Sequence, residues 1–409
     1  MANRLSILAV TSEVPWPLSS GGRLRSHHLL KRLASRHDVR LVVPVTPDRV
    51  GDLDGVRAAG IDVVPVPVRG GWLRTATGAA SAAVSGRPFV MYARHDHRDL
   101  REALRSAARQ RRPDAWYFDH LDAFVYADEA GADTVVGDMH NVYSLLVDRT
   151  ADEQKSLLLR QYLKREAHLL STVEGRAALR ADLIFTVSED EARTFTARGA
   201  RRVMVAPNGV DLTRYGVLPC GQRPAPPTVL YLGAMSWEPN AAAAGFLARE
   251  VMPEVRRRVP DVRLQIVGRD PSPAVLALRS DAVEVTGGVP DVMPYLAQAH
   301  VLAVPLDAGG GTRIKILEAF GAGLPVVSTA VGCEGIRARP DVEIVVAARE
   351  RFADALTRVL ASPAAAEAMA RQARALAERE YGWDAIGERV ATGIEEAVQA
   401  AATPAGPRA

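Results

Sequence analysis

Cysteine, aromatic residues and long apolar runs are all scarce in this chain of 409 residues. Its two cysteines, Cys220 and Cys333, are too few for a metal-binding motif or a disulfide framework, which favours a reducing compartment. Only 5% of the residues are aromatic and the net charge is +3, so composition argues against nucleic-acid binding. No apolar run approaches the roughly 20 residues that span a bilayer, and the N-terminal run lacks a signal-peptide cleavage site. These absences predict a cytoplasmic globular protein, long enough for two domains.

Lysine is also rare, since it occurs only at positions 31, 155, 164 and 315. Lys315 stands in the most informative segment of the chain, LDAGGGTRIKILEAFGAGLPVVS, from Leu306 to Ser328. Three adjacent glycines follow a strand-length apolar run there, and the residues after them have helical apolar spacing. Backbone amides of such a turn and the positive end of the helix dipole attract phosphate groups. The segment therefore predicts a strand, an anion-binding turn and a helix.

The helix after this turn carries two charged residues on one face. Lys315 and Glu318 are three positions apart, so they can meet the same ligand. A nucleoside diphosphate needs this pair, because a cation binds the pyrophosphate and a carboxylate accepts hydrogen bonds from the ribose hydroxyls. The alternative is a flexible turn followed by a surface ion pair, since three glycines match neither the Walker nor the dinucleotide spacing.

Strand-length and helix-length segments alternate through the whole chain. The first half starts with strand Leu5–Thr11 and helix Arg23–Ser35, and after a proline-rich stretch the pattern restarts at Val229. Alternation of this kind predicts an α/β fold with two doubly wound Rossmann-like domains that face a cleft. The predicted organisation is a first domain over residues 1–217, a linker over 218–228, a second domain over 229–383, a helix at about 384–401 that packs back on the first domain, and a disordered tail over 402–409.

Eight motifs occur in an order that is typical of one protein family. They are PLSSGGRLRSHHLLKRLA, DMHNVYS, VSEDEA, VAPNGVD, LGAMSWEPN, IVGR, VTGGVPDV and GGGTRIKILEA. On these motifs, which are distributed over nearly the whole chain, the sequence resembles the retaining nucleotide-sugar glycosyltransferases of family 4, whose fold is called GT-B. The variants MSWEPN and GGGTRIKILEA are similar to bacterial sugar transferases of polysaccharide and natural-product pathways.

The resemblance implies an activity and its substrates. The protein would transfer a hexose-type sugar from a nucleoside-diphosphate sugar to a hydroxyl acceptor with retention of configuration. The second domain would bind the nucleotide, and the first would bind the acceptor. Neither a cofactor nor a metal is required, and the base, the sugar, the acceptor and the oligomeric state are left open.

The sequence departs from the family at two points. Gly310 stands eight positions before Glu318, where many members carry a first glutamate that contacts the donor sugar. Ala234 and Pro239 stand where an arginine and a lysine are usual, so we expect positive charge to come from elsewhere. The predicted diphosphate site consists of Gly21, Gly22, Gly309, Gly310, Gly311, Thr312, Arg313 and Lys315.

The remaining site residues follow partly from the resemblance and partly from the local sequence. His140 is expected near the donor sugar, where a neutral imidazole can bond a sugar hydroxyl or steady charge on the leaving phosphate. Asn141 and Asp307 are further candidates to contact the sugar or the acceptor, and Glu318 is the expected ribose ligand. The predicted catalytic set is His140, Lys315 and Glu318, and the predicted base site is Arg269, Gly287 and Val289.

Three other functions and one surface remain open at this stage. A nucleotide-sugar epimerase of the same fold would need no acceptor, and a non-catalytic nucleotide-sugar binder would show binding without turnover. A nicotinamide oxidoreductase is disfavoured because no G-x-G-x-x-G follows either first strand. A helical stripe of arginines over 94–112 could contact an anionic membrane on its inner face or could be a solvated helix face. Its members are Arg94, Arg98, Arg101, Arg105, Arg109 and Arg112.

Overall fold

The computed structural model describes residues 4–18, 20–68, 82, 86–89, 93–152, 154, 156–217, 222–308 and 313–402. The chain forms two compact units. Unit 1 comprises Met1–Pro207 and Ile386–Ala409, and unit 2 comprises Asn208–Ala385. The division falls ten residues before the end that the sequence suggests for the first domain, and the predicted tail over 402–409 lies outside the described residues apart from Ala402.

Unit 1 is built on a parallel sheet of seven strands in the order β3-β2-β1-β4-β5-β6-β7. The order reverses at β1, which pairs with β2 on one side and β4 on the other. Ligands of such sheets bind beyond the carboxyl ends of the strands at this switch point. The strands are β1 Ser6–Val10, β2 Asp38–Val45, β3 Asp62–Pro67, β4 Ala115–Asp119, β5 Thr134–Met139, β6 Leu183–Thr186 and β7 Val203–Val205.

The helices of unit 1 are amphipathic connections between these strands. Their buried side chains pack with the sheet, as Leu29, Leu30 and Leu33 do in the first helix. The helices are α1 Gly21–Arg36, α2 Leu53–Arg57, α3 Arg98–Gln110, α4 Tyr143–Asp152, α5 Leu157–Arg180 and α6 Glu189–Ala197. Among the described residues, no helix is long and apolar enough to cross a membrane.

Unit 2 repeats the architecture with six parallel strands in the order β10-β9-β8-β11-β12-β13. The strands are β8 Thr228–Leu232, β9 Arg263–Val267, β10 Val283–Gly287, β11 Val301–Val304, β12 Val326–Ser328 and β13 Val345–Val346. The helices are α7 Glu238–Phe246, α8 Met252–Arg258, α9 Pro273–Leu276, α10 Met293–Gln298, α11 Ile314–Gly321, α12 Phe352–Ala361 and α13 Pro363–Leu376. The last helix of the chain, α14 Trp383–Ala402, begins in unit 2 and continues in unit 1. The prediction of two doubly wound α/β domains is confirmed.

Two details depart from the simple pattern. The helical segment formed by α7 and α8 is divided by a π-helical turn at Leu247–Val251. Pro253 has no backbone N–H, so it cannot donate to the carbonyl of the preceding turn, and the helix adjusts just before it. The last helix, α14, belongs to unit 1 from Ile386 onwards. There Glu388 forms ion pairs with Arg32 and Arg36, which are residues of α1.

Candidate functional site

The helix α11 of unit 2 holds Lys315 in a prearranged position. Lys315 Nζ donates to Oδ1 of Asn240 at 3.2 Å and lies 4.9 Å from the centroid of the Tyr231 ring. The Tyr231 hydroxyl donates to the same oxygen at 3.0 Å, while the Asn240 amide nitrogen donates to the carbonyl of Ala234 at 3.0 Å. Burial and the nearby Arg313 lower the pKa of Lys315 to about 7. The ammonium group is therefore one that a bound anion would stabilise.

Glu318 lies one turn further along α11 and has its own hydrogen-bond partner. The hydroxyl of Tyr215 donates to Glu318 Oε1 at 3.2 Å. Burial raises the pKa of the carboxyl group, and Tyr215 and Arg214 oppose the shift. The face that the sequence assigned to Lys315 and Glu318 thus carries a cation and a carboxylate, each supported by a buried aromatic residue.

The other predicted diphosphate ligands of unit 2 fall into two groups. Arg313 is buried, with 6% of its surface exposed, and burial lowers the pKa of its guanidinium group. Four predicted members lie outside the described residues: Gly309, Gly310, Gly311 and Thr312. Asp307, a predicted sugar contact, is exposed and forms an ion pair with Arg349, whose guanidinium carbon lies 3.6 Å from the centroid of the Phe246 ring.

The predicted base site lies at the carboxyl ends of β9 and β10. Gly287 has a φ of +83° and accepts a hydrogen bond from Gly268 N at 3.1 Å. A Cβ on Gly268 would lie 1.6 Å from the carbonyl oxygen of Gly233, so only glycine permits this approach of β8 and β9. Arg269 is exposed at the same edge, and Val289 packs partly buried on the core of unit 2.

In unit 1, His140 follows β5 and contacts two carboxylates. His140 Nε2 lies 3.0 Å from Asp119 Oδ1, at the end of β4, and 3.4 Å from Asp138 Oδ2. Burial disfavours the charged ring, but Asp119 and Asp138 outweigh it and raise the pKa of His140 to about 9. His140 is therefore an imidazolium at neutral pH, which differs from the neutral ring that the sequence suggested.

A buried arginine completes this charge network. The Arg25 side chain and that of Asp138 are both fully buried, and Arg25 Nη2 donates to Asp138 Oδ1 at 2.5 Å. Arg25 Nε donates to Asp138 Oδ2 at 2.9 Å, and the Tyr117 hydroxyl donates to the same oxygen at 2.9 Å. The third nitrogen of the Arg25 guanidinium group, Nη1, donates to the carbonyls of Ala206 and Pro207 at 2.7 and 3.1 Å. These contacts hold together α1, β5 and the residues Ala206 and Pro207, at which the first segment of unit 1 ends.

The same cluster has the ligand types of a metal site. Ligand atoms of Asp119, Asp138 and His140 lie within 4.8 Å of one another, although the sequence suggested no metal site. However, Arg25 binds both oxygens of Asp138 and already neutralises it. A divalent cation would have to compete with this guanidinium group, so the geometry fits a network of ion pairs better than a metal centre.

A cavity of about 340 Å³ in unit 1 adjoins the network of Arg25, Asp138 and His140. Unit 2 has a cavity of about 410 Å³, which does not include the predicted site residues. The lining of the unit 1 cavity includes Gly22, Asp119, His120 and Asp122. Burial and the neighbouring His140 lower the pKa of His120 to about 3, so this second ring is neutral. Its Nδ1 lies 2.6 Å from the Tyr143 hydroxyl. The cavity thus places a neutral imidazole beside the charged one.

Asp122 and Gly22 shape this cavity further. Asp122 is 5% exposed, burial raises the pKa of its carboxyl group, and Oδ1 has no hydrogen-bond partner among the described residues. Gly21 and Gly22 form the first turn of α1, where a Cβ on Gly22 would lie 3.7 Å from His140 Nδ1. Asn141 is partly buried between β5 and α4. The polar groups of Asp119, His120 and Asp122 therefore face a cavity of about 340 Å³.

Sequence reasoning missed several residues that support the predicted ones. Arg25 and Asp138 lie within quoted motifs but are 113 positions apart, so their pairing had no local signal. Asn240 ends the MSWEPN motif, and its side chain meets Lys315 across 75 positions. For Asn240 the MSWEPN motif itself was a signal, since it is one of the motifs that carry the family resemblance.

The arginine stripe is mostly ion-paired. Arg101 and Arg105 both contact Glu129, at 3.1 and 2.6 Å. Arg98 pairs with Glu102, and Arg112 with Asp133. Four of its six arginines thus have acidic partners within unit 1, and their net positive charge is reduced accordingly.

Comparisons with known proteins follow the same two units. A family model described as "Glycosyl transferase 4-like domain" matches residues 20–209, and one described as "Glycosyl transferases group 1" matches residues 226–362. Each half of the chain therefore matches a glycosyltransferase domain, and the two parallel sheets have the GT-B architecture. The matched ranges together contain every predicted site residue of both units.

Solved GT-B structures agree with this fold. HepE of Anabaena, crystallised in complex with UDP, superposes with a TM-score of 0.68 at 16% identity and covers 96% of this chain and all of its own. Sucrose-phosphate synthase of Thermosynechococcus elongatus gives a TM-score of 0.68 at 17% identity, covering 97% of this chain and 100% of the other. At such identities the likeness concerns the GT-B fold alone.

Matches to curated relatives cover only about half of each chain. A GDP-mannose-dependent phosphatidylinositol monomannoside mannosyltransferase of Corynebacterium glutamicum is 28% identical over 208 residues, which cover 45% of this chain and 54% of the relative. A D-inositol 3-phosphate glycosyltransferase of Mycobacterium avium is 28% identical over 253 residues, covering 56% and 58%. The GT-B chain thus spans about half the length of the curated relatives it matches.

Proposed function

We propose that this protein is a retaining glycosyltransferase that transfers a hexose-type sugar from a nucleoside-diphosphate sugar to a hydroxyl acceptor. The observation that carries the proposal is the face of α11, where Lys315 is held by Asn240 and Glu318 is held by Tyr215. A cation and a carboxylate fixed in this way match a pyrophosphate and the adjacent ribose.

Unit 2 would bind the donor nucleotide. Arg313 and Lys315 would neutralise the diphosphate together with the amides of 309–312, and Glu318 would accept hydrogen bonds from the ribose hydroxyls. Arg269, Gly287 and Val289 would line the base, which backbone groups at the ends of β9 and β10 can recognise. HepE was solved with UDP and with UDP-glucose, whereas a curated relative is named GDP-mannose-dependent, so both nucleotides deserve a test.

Unit 1 would supply the acceptor site and a positive charge. The cavity beside His120 and Asp122 would hold the acceptor, whose hydroxyl can donate to the neutral His120 ring or to the unpartnered oxygen of Asp122. The His140 imidazolium would stabilise negative charge on the departing phosphate or bond a sugar hydroxyl. Asn141 and Asp307 would contact the sugar or the acceptor, and the amides of Gly21 and Gly22 would approach the phosphate.

The chemical step requires positioning more than covalent catalysis. The acceptor oxygen would attack the anomeric carbon on the face that the diphosphate leaves, so a new C–O bond forms as the bond to phosphate breaks. The leaving phosphate oxygen would take the acceptor proton, which balances the reaction without an enzyme nucleophile. Lys315, Arg313 and His140 would stabilise the charge that develops on this phosphate.

A thermal-shift panel with UDP, GDP, ADP, CDP and dTDP tests donor binding. A ligand at about 100 times its dissociation constant adds about 2.7 kcal/mol of stability. We expect one diphosphate to stabilise the parent, and Lys315→Met and Glu318→Gln to reduce that shift. Lys164→Met and Glu367→Gln are matched controls because their ion-pair partners, Asp148 and Arg371, are not residues of the predicted site. Equal shifts in all variants would contradict the assignment.

Product analysis then tests the reaction itself. With the matching sugar nucleotide and a panel of hydroxyl acceptors, we expect an α-linked product from an α-linked donor, detected by the anomeric proton coupling in NMR. Release of an epimerised sugar without an acceptor would identify an epimerase instead. Nucleotide binding without transfer or donor hydrolysis would identify a non-catalytic binder.

A further inference from the structure

Helix α5 of unit 1 begins with an apolar turn that the protein leaves exposed. Leu157 is 73% exposed, Leu158 is 81% exposed and Leu159 is 44% exposed. Tyr162, one turn later, is 43% exposed. We call these four residues the leucine tip. Apolar side chains scattered singly on a surface are normal, but four in two adjacent turns form a patch that calls for a partner.

The leucine tip is presented by an ordered helix end. Ser156 caps α5 by accepting a hydrogen bond from Leu159 N at 3.4 Å. Lys164, on the next turn, donates to Asp148 of α4 at 2.7 Å and also contacts Asp152 at 3.0 Å. Because α4 and α5 are tied together in this way, the first turn of α5 keeps its leucines displayed.

The arrangement of the leucines favours a fluid partner over a flat one. Successive helical residues point about 100° apart, so Leu157, Leu158 and Leu159 project over more than half of the helix circumference. A flat protein surface can cover only one side of such a turn. Lipid headgroups and acyl chains can surround it on all sides, and leucine and tyrosine are favoured at that depth.

The charges around the leucine tip agree with an anionic membrane surface. Residues 145–166 contain five basic residues against four acidic ones, and two of the four lysines of the chain, Lys155 and Lys164, fall in this segment. Arg160 lies within the same first turns and pairs only with Asp152 among the described residues, at 3.2 Å. Basic side chains flanking an apolar turn strengthen binding to acidic lipids.

We propose that unit 1 docks on a lipid bilayer through the leucine tip, with the apolar side chains of Leu157 and Leu158 entering the interface. The proposal moves membrane contact away from the arginine stripe, because the leucines within 94–112, Leu100 and Leu104, are buried. It does not depend on the proposed transfer reaction, since its readout is binding to lipid alone.

Co-sedimentation of the full chain with vesicles tests the proposal. The vesicles contain phosphatidylcholine alone or with phosphatidylglycerol, and the variant is the double substitution Leu157→Ser with Leu158→Ser. We expect the parent to bind the mixed vesicles and the variant to bind about tenfold less or weaker still. Leu179→Ser is the matched control, because Leu179 lies at the other end of α5 and is 63% exposed. It should bind as the parent does.

A second measurement separates the outcomes. Leu158→Trp should show a blue-shifted emission with these vesicles and quenching by lipids brominated on the acyl chain. An absence of both changes, or equal sedimentation of the parent and the double variant, would overturn the proposal. It would also be overturned if the parent ignored vesicles but dimerised in light scattering while the double variant stayed monomeric, since the tip would then bind a second copy. Unchanged melting temperatures establish that the substitutions leave the fold intact.

Discussion

Removing the buried guanidinium group of Arg25 should destabilise unit 1 strongly. Arg25 and Asp138 are both fully buried, and Arg25 reaches both oxygens of the carboxylate. Replacing it by methionine keeps the apolar length of the side chain but leaves Asp138 charged without its main partner. An uncompensated buried charge costs about 3–5 kcal/mol, and the two carbonyls at the end of the first segment also lose a donor. We expect a loss of stability in that range.

The measurement should report on unit 1 by itself. Urea unfolding followed by pulse-labelling hydrogen exchange gives separate transitions for peptides that contain β4 and β5. Arg40→Met is the matched control, because Arg40 pairs with Asp62 on the surface at 2.7 Å. A surface pair contributes below about 1 kcal/mol, so this variant should unfold near the parent.

A rescue experiment tests the cause. If the buried anion is responsible, adding Asp138→Asn to Arg25→Met should recover part of the lost stability, because the amide carries no charge. The reasoning would be refuted if Arg25→Met cost no more than the Arg40 control. It would also be refuted if the double variant were less stable than Arg25→Met alone.

Three further predictions concern the site. The pKa of His140 is about 9 against an ordinary 6.5, so protonation of this ring contributes about 3 kcal/mol to the stability of the fold below pH 6.5, and that contribution is lost as the pH rises to 9. In urea unfolding, His140→Gln should therefore be less stable than the parent at pH 6 and close to it at pH 9.5. A difference that stays constant with pH would contradict this. The pKa of Lys315 is lowered to about 7, so diphosphate binding should take up a proton, and the affinity should weaken between pH 7 and 9. Both effects should be much smaller in Lys315→Arg. Calorimetry in two buffers of different ionisation heat measures the proton uptake, and equal binding heats for the parent would count against it. Gly22→Ala should fold with stability unchanged or raised by about 0.5–1 kcal/mol, but sugar transfer should fall because the new methyl group enters the proposed acceptor cavity beside His140. Undiminished transfer would contradict the assignment of the acceptor to that cavity.

The strands could be predicted from the sequence because their apolar runs are long and are bounded by glycine, proline and charged residues. For example, the strand predicted at Leu5–Thr11 is β1 at Ser6–Val10, and the pattern predicted to restart at Val229 does so with β8 at Thr228–Leu232. Such runs are local signals, and burial in a parallel sheet selects them directly. The π-helical turn at 247–251 could not be predicted in this way, because it results from the missing backbone N–H of Pro253 and the apolar periodicity carries no signal of it.

The candidate site was predictable only where chemistry and local pattern coincide. Lys315 and Glu318 stand out because they share a helix face after a glycine-rich turn. Arg25 does not, because its partner Asp138 is 113 positions away and arginine is common throughout the chain. The protonation of His140 was likewise beyond the sequence, since it results from Asp119 on a different strand.

The position of α14 affects how the protein can be made. Unit 1 needs this helix: a Cβ on Gly393 would lie 2.9 Å from Met204 Sδ and 3.0 Å from the Phe185 ring, and Ile394 is fully buried. On the ribosome, however, all of unit 2 is synthesised between β7 and α14. An apolar face of the unit 1 sheet therefore stays uncovered while the ribosome synthesises unit 2, and chaperones can bind that face during this time. A shortened gene that stops at Pro207 should for the same reason yield an aggregating product, whereas co-expressing 386–402 as a separate peptide should improve its solubility.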